Sequence, residues 1–401
     1  MNQTVKSASR PYAIVLGMDA NGLGVARSLG RHGVPIIGMD PRPNLPGSRS
    51  KYISFQICAD PQESPDRLLQ ELISYGERHG KGILYPTNDT FVSLMSRHRV
   101  ELARSFDFNM PPERVIETII DKRMQYQEAS RLGVAIPKTY YPSTMAELEA
   151  EIANIEYPAF IKPCLSNEFY RKFQSKGLLV NDSQELREGF RKILPTGIKV
   201  IVQEFVAGPS SSMFSMATYV SRDGGIATPC VWQKLRQSPV DFGVGTFVRI
   251  VDEPRIVEQG IRFLKGIGFT GIGEIEYKWD ERANEFKLIE LNARPWLQNS
   301  LSAYAGLDTS YLQYLDLTGS PSLEMRPCQK DIRWLDLLSD LSTFWTLRER
   351  GELSTLEWIR SCLGAEVYAY AALDDVRPML SRYNYGLDLI KMLVFLLKGE
   401  A

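Results

Sequence analysis

GIGEIEYKWDERANEFKLIELNARPW, residues 271–296, alternates polar and apolar side chains on either side of a polar turn. Side chains of a strand point to opposite faces in turn. Glu274 and Glu276 therefore share one face of a first strand, with Ile275 and Tyr277 on the other. The run DERANE turns the chain. In FKLIELN, Glu290 and Asn292 share a face, with Ile289 and Leu291 opposite. Antiparallel pairing brings Glu276, Glu290 and Asn292 together, with Arg294 just beyond. Hard oxygen ligands suit Mg²⁺, which keeps several waters and completes its shell with phosphates. A solvated hairpin with ordinary surface acids has the same pattern, so the rest of the chain has to decide.

The 401 residues suffice for two or three domains with real cores. A net charge of −1 argues against a broad nucleic-acid surface. Five well-separated cysteines without a CxxC indicate neither a disulfide framework nor a zinc site, and the three histidines show no metal spacing. The first residues lack a signal-peptide apolar region, and no 18-residue apolar run occurs. A cytoplasmic protein without a transmembrane span is expected.

Upstream of the hairpin, YAIVLG (12–17), a helix and VPIIGMD ending at Asp40 make a β-α-β start. Gly17, Gly22 and Gly24 follow GxxxxGxG rather than GxGxxG. They and Asp40 fit either a nicotinamide dinucleotide site or a doubly wound domain with close strand–helix packing. Thr87, Asn88 or Asp89 can cap the next helix, and Asp89 can also act as a ligand at the sheet's carboxyl edge. Lys122 opens a helix, where the N-terminus already carries partial positive charge; a phosphate or plain solvation resolves that. Lys162 lies inside the apolar strand YPAFIKPCL and either needs a partner or points from the opposite face. SNEFYRKFQSKG (166–177) reads as a basic loop, either closing over phosphates or simply exposed. QEFVAG is a buried strand running into a turn at Gly208. QKLRQ puts Lys234 and Arg236 on one face, an unfavourable pair unless an anion lies opposite. Beyond residue 321, WLDLLSDLSTFWTLRERG and LDLIKMLVFLLKG read as apolar helices.

Lys122, Lys162, QEFVAG, QKLRQ and EIEY…IELNAR, in this order and spacing, resemble the motif set of an ATP-grasp ligase. The resemblance covers roughly residues 1–320, and the tail is similar to that of bacterial carboxylate–amine ligase and D-aspartate ligase-like ATP-grasp proteins. It implies an α/β chain built on an α+β ATP-grasp core. A doubly wound N-terminal domain would span 1–110. The ATP-grasp domain would span 111–320, with a lid-bearing subdomain to about 200 and a metal-binding subdomain from about 201. A mostly helical extension would span 321–401. By the same resemblance Lys122 and Lys162 contact ATP phosphates, and Gln203, Glu204 and Val206 hold adenine, partly through backbone groups. Glu276, Glu290 and Asn292 bind Mg²⁺ or Mn²⁺. Lys234, Arg236 and Arg294 meet the γ-phosphate and an acyl phosphate. Glu274, outside the matching pattern, becomes an ordinary strand acid.

The implied reaction activates a carboxylate as acyl phosphate and joins it to an amine. Substrates would be small and amino-acid-like, with no nucleic acid; a homo-oligomer is compatible. Alternatives are an ATP-grasp carboxylase, a phosphoryl-transfer enzyme, or a catalytically silent nucleotide-binding regulator. Two features depart from the pattern. PSSSM follows Gly208 where many relatives carry a ribose-binding acid, and SNEFYRKFQSKG stands where many carry a glycine-rich lid. The sequence does not identify the acid or the amine.

Overall fold

The structure, a computed structural model, describes residues 10–320 and 326–383. The last apolar stretch, 387–399, lies outside them. The first sheet consists of β1 (Ala13–Leu16), β2 (Ile36–Asp40), β3 (Ile53–Ile57), β4 (Gly82–Pro86) and β5 (Phe106–Asp107). It is parallel throughout, in the order β3-β2-β1-β4-β5. Strands β1 and β2 are buried along their whole length, as their apolar runs require between two helical layers.

The glycines after β1 serve packing. A Cβ on Gly22 would lie 1.9 Å from the Gly17 carbonyl oxygen, and one on Gly24 1.8 Å from Asn299 Oδ1. Asp40 is buried and accepts the Met18 N–H at 2.8 Å and Arg42 Nε at 3.0 Å. Its carboxylate is thus spent on the chain itself, and the doubly wound reading holds over the nicotinamide one.

A second, four-stranded sheet contains β6 (Thr139–Tyr140), β7 (Ala159–Pro163), β8 (Leu178–Val180) and β9 (Val200–Glu204), in the order β6-β9-β7-β8 and antiparallel. Its core is its own, with Leu148, Ile161, Phe169, Leu186, Phe190 and Val202 at the centre. The segment read as a basic loop is different in the structure. Ser166–Phe173 is a helix, because Phe169 and Phe173, four apart, stack at 4.6 Å and anchor it to this core. Only the turn to Gly177 remains loop.

The third sheet has seven strands: β10 (Met213–Val220), β11 (Cys230–Ser238), β12 (Val244–Val251), β13 (Gly271–Asp280), β14 (Glu285–Asn292), β15 (Arg333–Leu335) and β16 (Val367–Tyr368). Their order is β14-β13-β10-β11-β12-β15-β16. The hairpin at 271–292 is β13–β14, at one edge. The tail is helical over Leu337–Glu349, Thr355–Leu363 and Arg377–Tyr383, yet it also supplies β15 and β16, which the sequence did not announce. No described helix is long and apolar enough to cross a membrane.

Candidate active site

The register of β13 against β14 sets Glu276 opposite Glu290 and Glu274 opposite Asn292. The three predicted metal ligands therefore meet, and Glu274 joins them. Asn292 Nδ2 donates to Glu274 Oε2 at 2.9 Å, and Asn292 Oδ1 accepts from Arg294 Nη2 at 3.0 Å. Burial and the neighbouring Glu276 push the Glu274 carboxyl up to about 8. Glu274 was set aside in the sequence; its position on the Glu276 face was the signal for it. Among the described residues, no group of three or more His, Cys, Asp or Glu is disposed to hold a metal. The hairpin set is two acids and an amide, so the nucleotide's phosphates and water would have to complete a shell there.

Two lysines approach this hairpin, Lys122 from a helix packed on it and Lys162 from the four-stranded sheet. Lys122 opens the helix Lys122–Arg131, capped by Asp121 and tied by its own N–H to the Cys164 carbonyl at 3.1 Å. Its ammonium forms a direct ion pair with Glu290. Burial disfavours the charge on Lys122, but Glu290, together with Tyr126 and Asp89, outweighs it and raises the pKa; Glu290 is lowered in return. Lys162 shares a face of β7 with Phe160, and its Nζ donates to Gln203 Oε1 at 2.7 Å. This amide is neutral, so burial, followed by repulsion from Lys122, pulls Lys162 down to about 8.

The predicted adenine strand end closes β9. Gln203 is wholly buried, holding Lys162 and, through Nε2, Thr139 Oγ1 at 2.9 Å. The Glu204 carboxylate pairs with Lys287, which also meets Asp280 at 2.8 Å. These side chains are engaged, which leaves backbone groups and Val206 to face a base. Lys278, on the Glu276 face, donates to the Gly208 carbonyl at 3.0 Å, the turn where the ribose acid is missing.

Lys234 and Arg236 do not share a face. A β-bulge between them breaks the alternation of β11. Lys234 is turned to the Glu276 side, where burial lowers its pKa against the pull of Glu276 and Glu274. Arg236 goes the other way. It makes a buried two-point pair with Asp340, at 2.9 Å from Nε and 2.7 Å from Nη2, and its guanidinium lies 4.2 Å over the Phe247 ring. The structure thus removes Arg236 from the cleft and makes it a strut for the tail.

Arg294 is met from the first sheet. Asn88 caps the helix Asp89–Arg97, accepting from the Thr90 and Phe91 N–H groups. Asp89, the first helical residue, is freed from capping and accepts Arg294 Nε at 2.6 Å. Asn299 bridges Asn21 and Trp296 carbonyls, and Arg249 lies on the Gln233 face of β12, away from Lys234.

A doubly wound sheet, then a four-stranded sheet bearing Lys162 and a seven-stranded sheet bearing the carboxylate hairpin, is the ATP-grasp fold. The chain is 29% identical over 300 residues to the D-aspartate ligase of Enterococcus faecium (strain Aus0004), 70% of either chain. Among solved structures, ADP-complexed N5-carboxyaminoimidazole synthetase from Staphylococcus aureus superposes with a TM-score of 0.63 at 14% identity, covering 81% of this chain and 82% of that one. The L-amino acid ligase from Bacillus licheniformis gives 0.60 at 15% identity, covering 80% and 78%. No protein-family model matches the chain.

Proposed function

We propose that this protein is an ATP-dependent carboxylate–amine ligase that takes amino-acid-like substrates and uses Mg²⁺, or Mn²⁺ in its place. The observation that carries this is the ion pair of Lys122, at the start of its helix, with Glu290 on the hairpin, beside Lys162, Glu276 and Asn292. A nucleotide polyphosphate would take Lys122 from this pair, and a divalent ion would take Glu290. The sequence similarity to a D-aspartate ligase and the fold shared with an L-amino acid ligase support the class of reaction.

The chemistry needs positioning and charge neutralisation, not a protein nucleophile. A substrate carboxylate oxygen attacks the γ-phosphorus of ATP, giving an acyl phosphate and ADP. The amine then attacks the acyl carbon and displaces phosphate, losing its proton. Glu276, Glu290 and Asn292 would hold the ion, which would supply positive charge at the phosphates. Lys162 and Lys122 would hold the phosphate chain, and Lys234 would approach the transferred group from the hairpin side. Arg294 would meet the anionic acceptor at the edge Asp89 now holds, with the planar two-point geometry that lysine lacks.

The test is ADP and phosphate release on adding a panel of amino acids and small carboxylates, with mass spectrometry of the product. Glu290→Gln is expected to abolish acceptor-dependent ADP release and keep the fold, read by circular dichroism. Wild-type turnover in that variant would sink the metal-site assignment.

A further inference from the structure

We propose that Phe242, on the loop joining β11 to β12, is a nucleotide-binding residue that stacks on the base of the bound triphosphate. The proposal rests on the nucleotide reading above and adds a wall from the opposite sheet.

Phe242 is 52% exposed, unusual for so large an apolar ring, and its backbone has φ +62°. That left-handed conformation is disfavoured for a bulky side chain and persists only where surrounding contacts hold it. Here the contacts are identifiable. The ring stands edge-on to Phe160 at 4.9 Å and to Phe205 at 5.9 Å, and Phe160 and Phe205 lie 5.7 Å apart. Phe160 and Phe205 belong to the four-stranded unit, whereas Phe242 crosses from the seven-stranded sheet to reach them. Phe160 is two residues before Lys162 on the same face, with the ammonium 5.2 Å from its ring centroid. Phe205 lies within the strand end that would hold the base. The aromatic triangle therefore sits at the base end of a line whose phosphate end is Lys162.

The loop is held from behind. Lys234 Nζ donates to the Gly243 carbonyl at 3.2 Å, Gln237 Nε2 to Val240 at 2.6 Å, and Arg350 pairs with Asp241 at 3.0 Å. Between the loop and the helix Leu337–Glu349 lies a cavity of about 270 Å³, lined by Pro239, Val240, Thr343 and Thr346 among others. The cavity leaves space beside Pro239 and Val240 at the base of the loop. The exposed face of Phe242, braced edge-on by Phe160 and Phe205, would stack on a flat heterocycle without reading its hydrogen-bonding edge, which the β9 backbone would do.

The experiment compares ATP with inorganic tripolyphosphate, both with Mg²⁺, by calorimetry. Phe242→Ala is expected to weaken ATP on the order of tenfold, the usual scale of one aromatic–base stack. Tripolyphosphate affinity should stay unchanged, and Phe242→Trp should restore ATP binding. The exposed position makes the fold insensitive to either change. Unchanged or tighter ATP binding in Phe242→Ala overturns the proposal, the latter marking Phe242 as an obstruction. An equal loss for both ligands also overturns it. If the wild-type protein binds neither ligand, the nucleotide reading itself fails, and that outcome is distinct.

Discussion

Lys122 and Lys162 are both half-buried beside the hairpin, yet they are driven in opposite directions. Lys122 has a carboxylate in contact and Lys162 only an amide oxygen. With its pKa down to about 8, Lys162 is charged below that pH and loses its proton above it. A bound polyphosphate favours the charged form, so the pKa is higher in the complex than in the free protein. ATP affinity is then flat below about pH 8 and falls above it, by up to tenfold per pH unit, until the bound-state pKa is reached. Calorimetry in two buffers of different ionisation enthalpy should show about one proton taken up near pH 9, and almost none near pH 6.5. Lys162→Met should abolish that uptake; if uptake persists, another group is responsible. The residues proposed for this site were picked out by strand pattern together with the resemblance to the ATP-grasp motif order. What they touch was not: nothing local to Lys162 names Gln203, and nothing local to Arg294 names Asp89.

At the scale of elements, alternation located the hairpin correctly because β13 and β14 keep a regular register from Glu274 to Glu276, where the ligands lie. The same rule failed on β11, since one bulge reverses every side chain beyond it and leaves no mark in composition. It also failed at 166–177, where basic residues drew attention from the Phe169–Phe173 pair that makes a helix. The bulge has an energetic consequence. Arg236 and Asp340 are both buried, and Asp340 also accepts Thr246 Oγ1 at 2.7 Å and Trp358 Nε1 at 2.9 Å. Asp340→Ala leaves a buried guanidinium unpaired, which costs ~3–5 kcal/mol. A markedly lower urea midpoint should report this. Arg236→Met should likewise act on stability, with KM for ATP unchanged; a raised KM with an unaltered midpoint would return Arg236 to the site.

Across the whole molecule, one core joins the first sheet, the seven-stranded sheet and the tail: Val15 and Val25, Trp232 and Val248, Trp334 and Ala369 belong to it together. The four-stranded unit has a core of its own on one side, while Ile201 and Cys164 pack with the hairpin on the other. The sequence read the tail as an extension because pairings such as β12 with β15 bring together residues some 80 positions apart and leave no periodic trace. The closure runs further. Arg27, on the first helix, bonds Asp375 Oδ2 through Nε at 3.0 Å and the Tyr370 and Asp375 carbonyls through Nη2. Asp375 also accepts Ser50 Oγ and the Lys51 N–H, while Arg31 and Tyr52 hold Asp374. Arg27 and Asp375 are almost fully buried, so Asp375→Ala strands a charge inside the first sheet's flank rather than trimming a surface contact. Amide hydrogen exchange should then show protection falling together in β1–β3, the helix Ala20–Arg31 and residues 367–383. The four-stranded unit should keep its wild-type protection, because it shares no core residue with them. Loss confined to residues 367–383 would mean that the tail is an appendage, and that the first and seven-stranded sheets hold together without it.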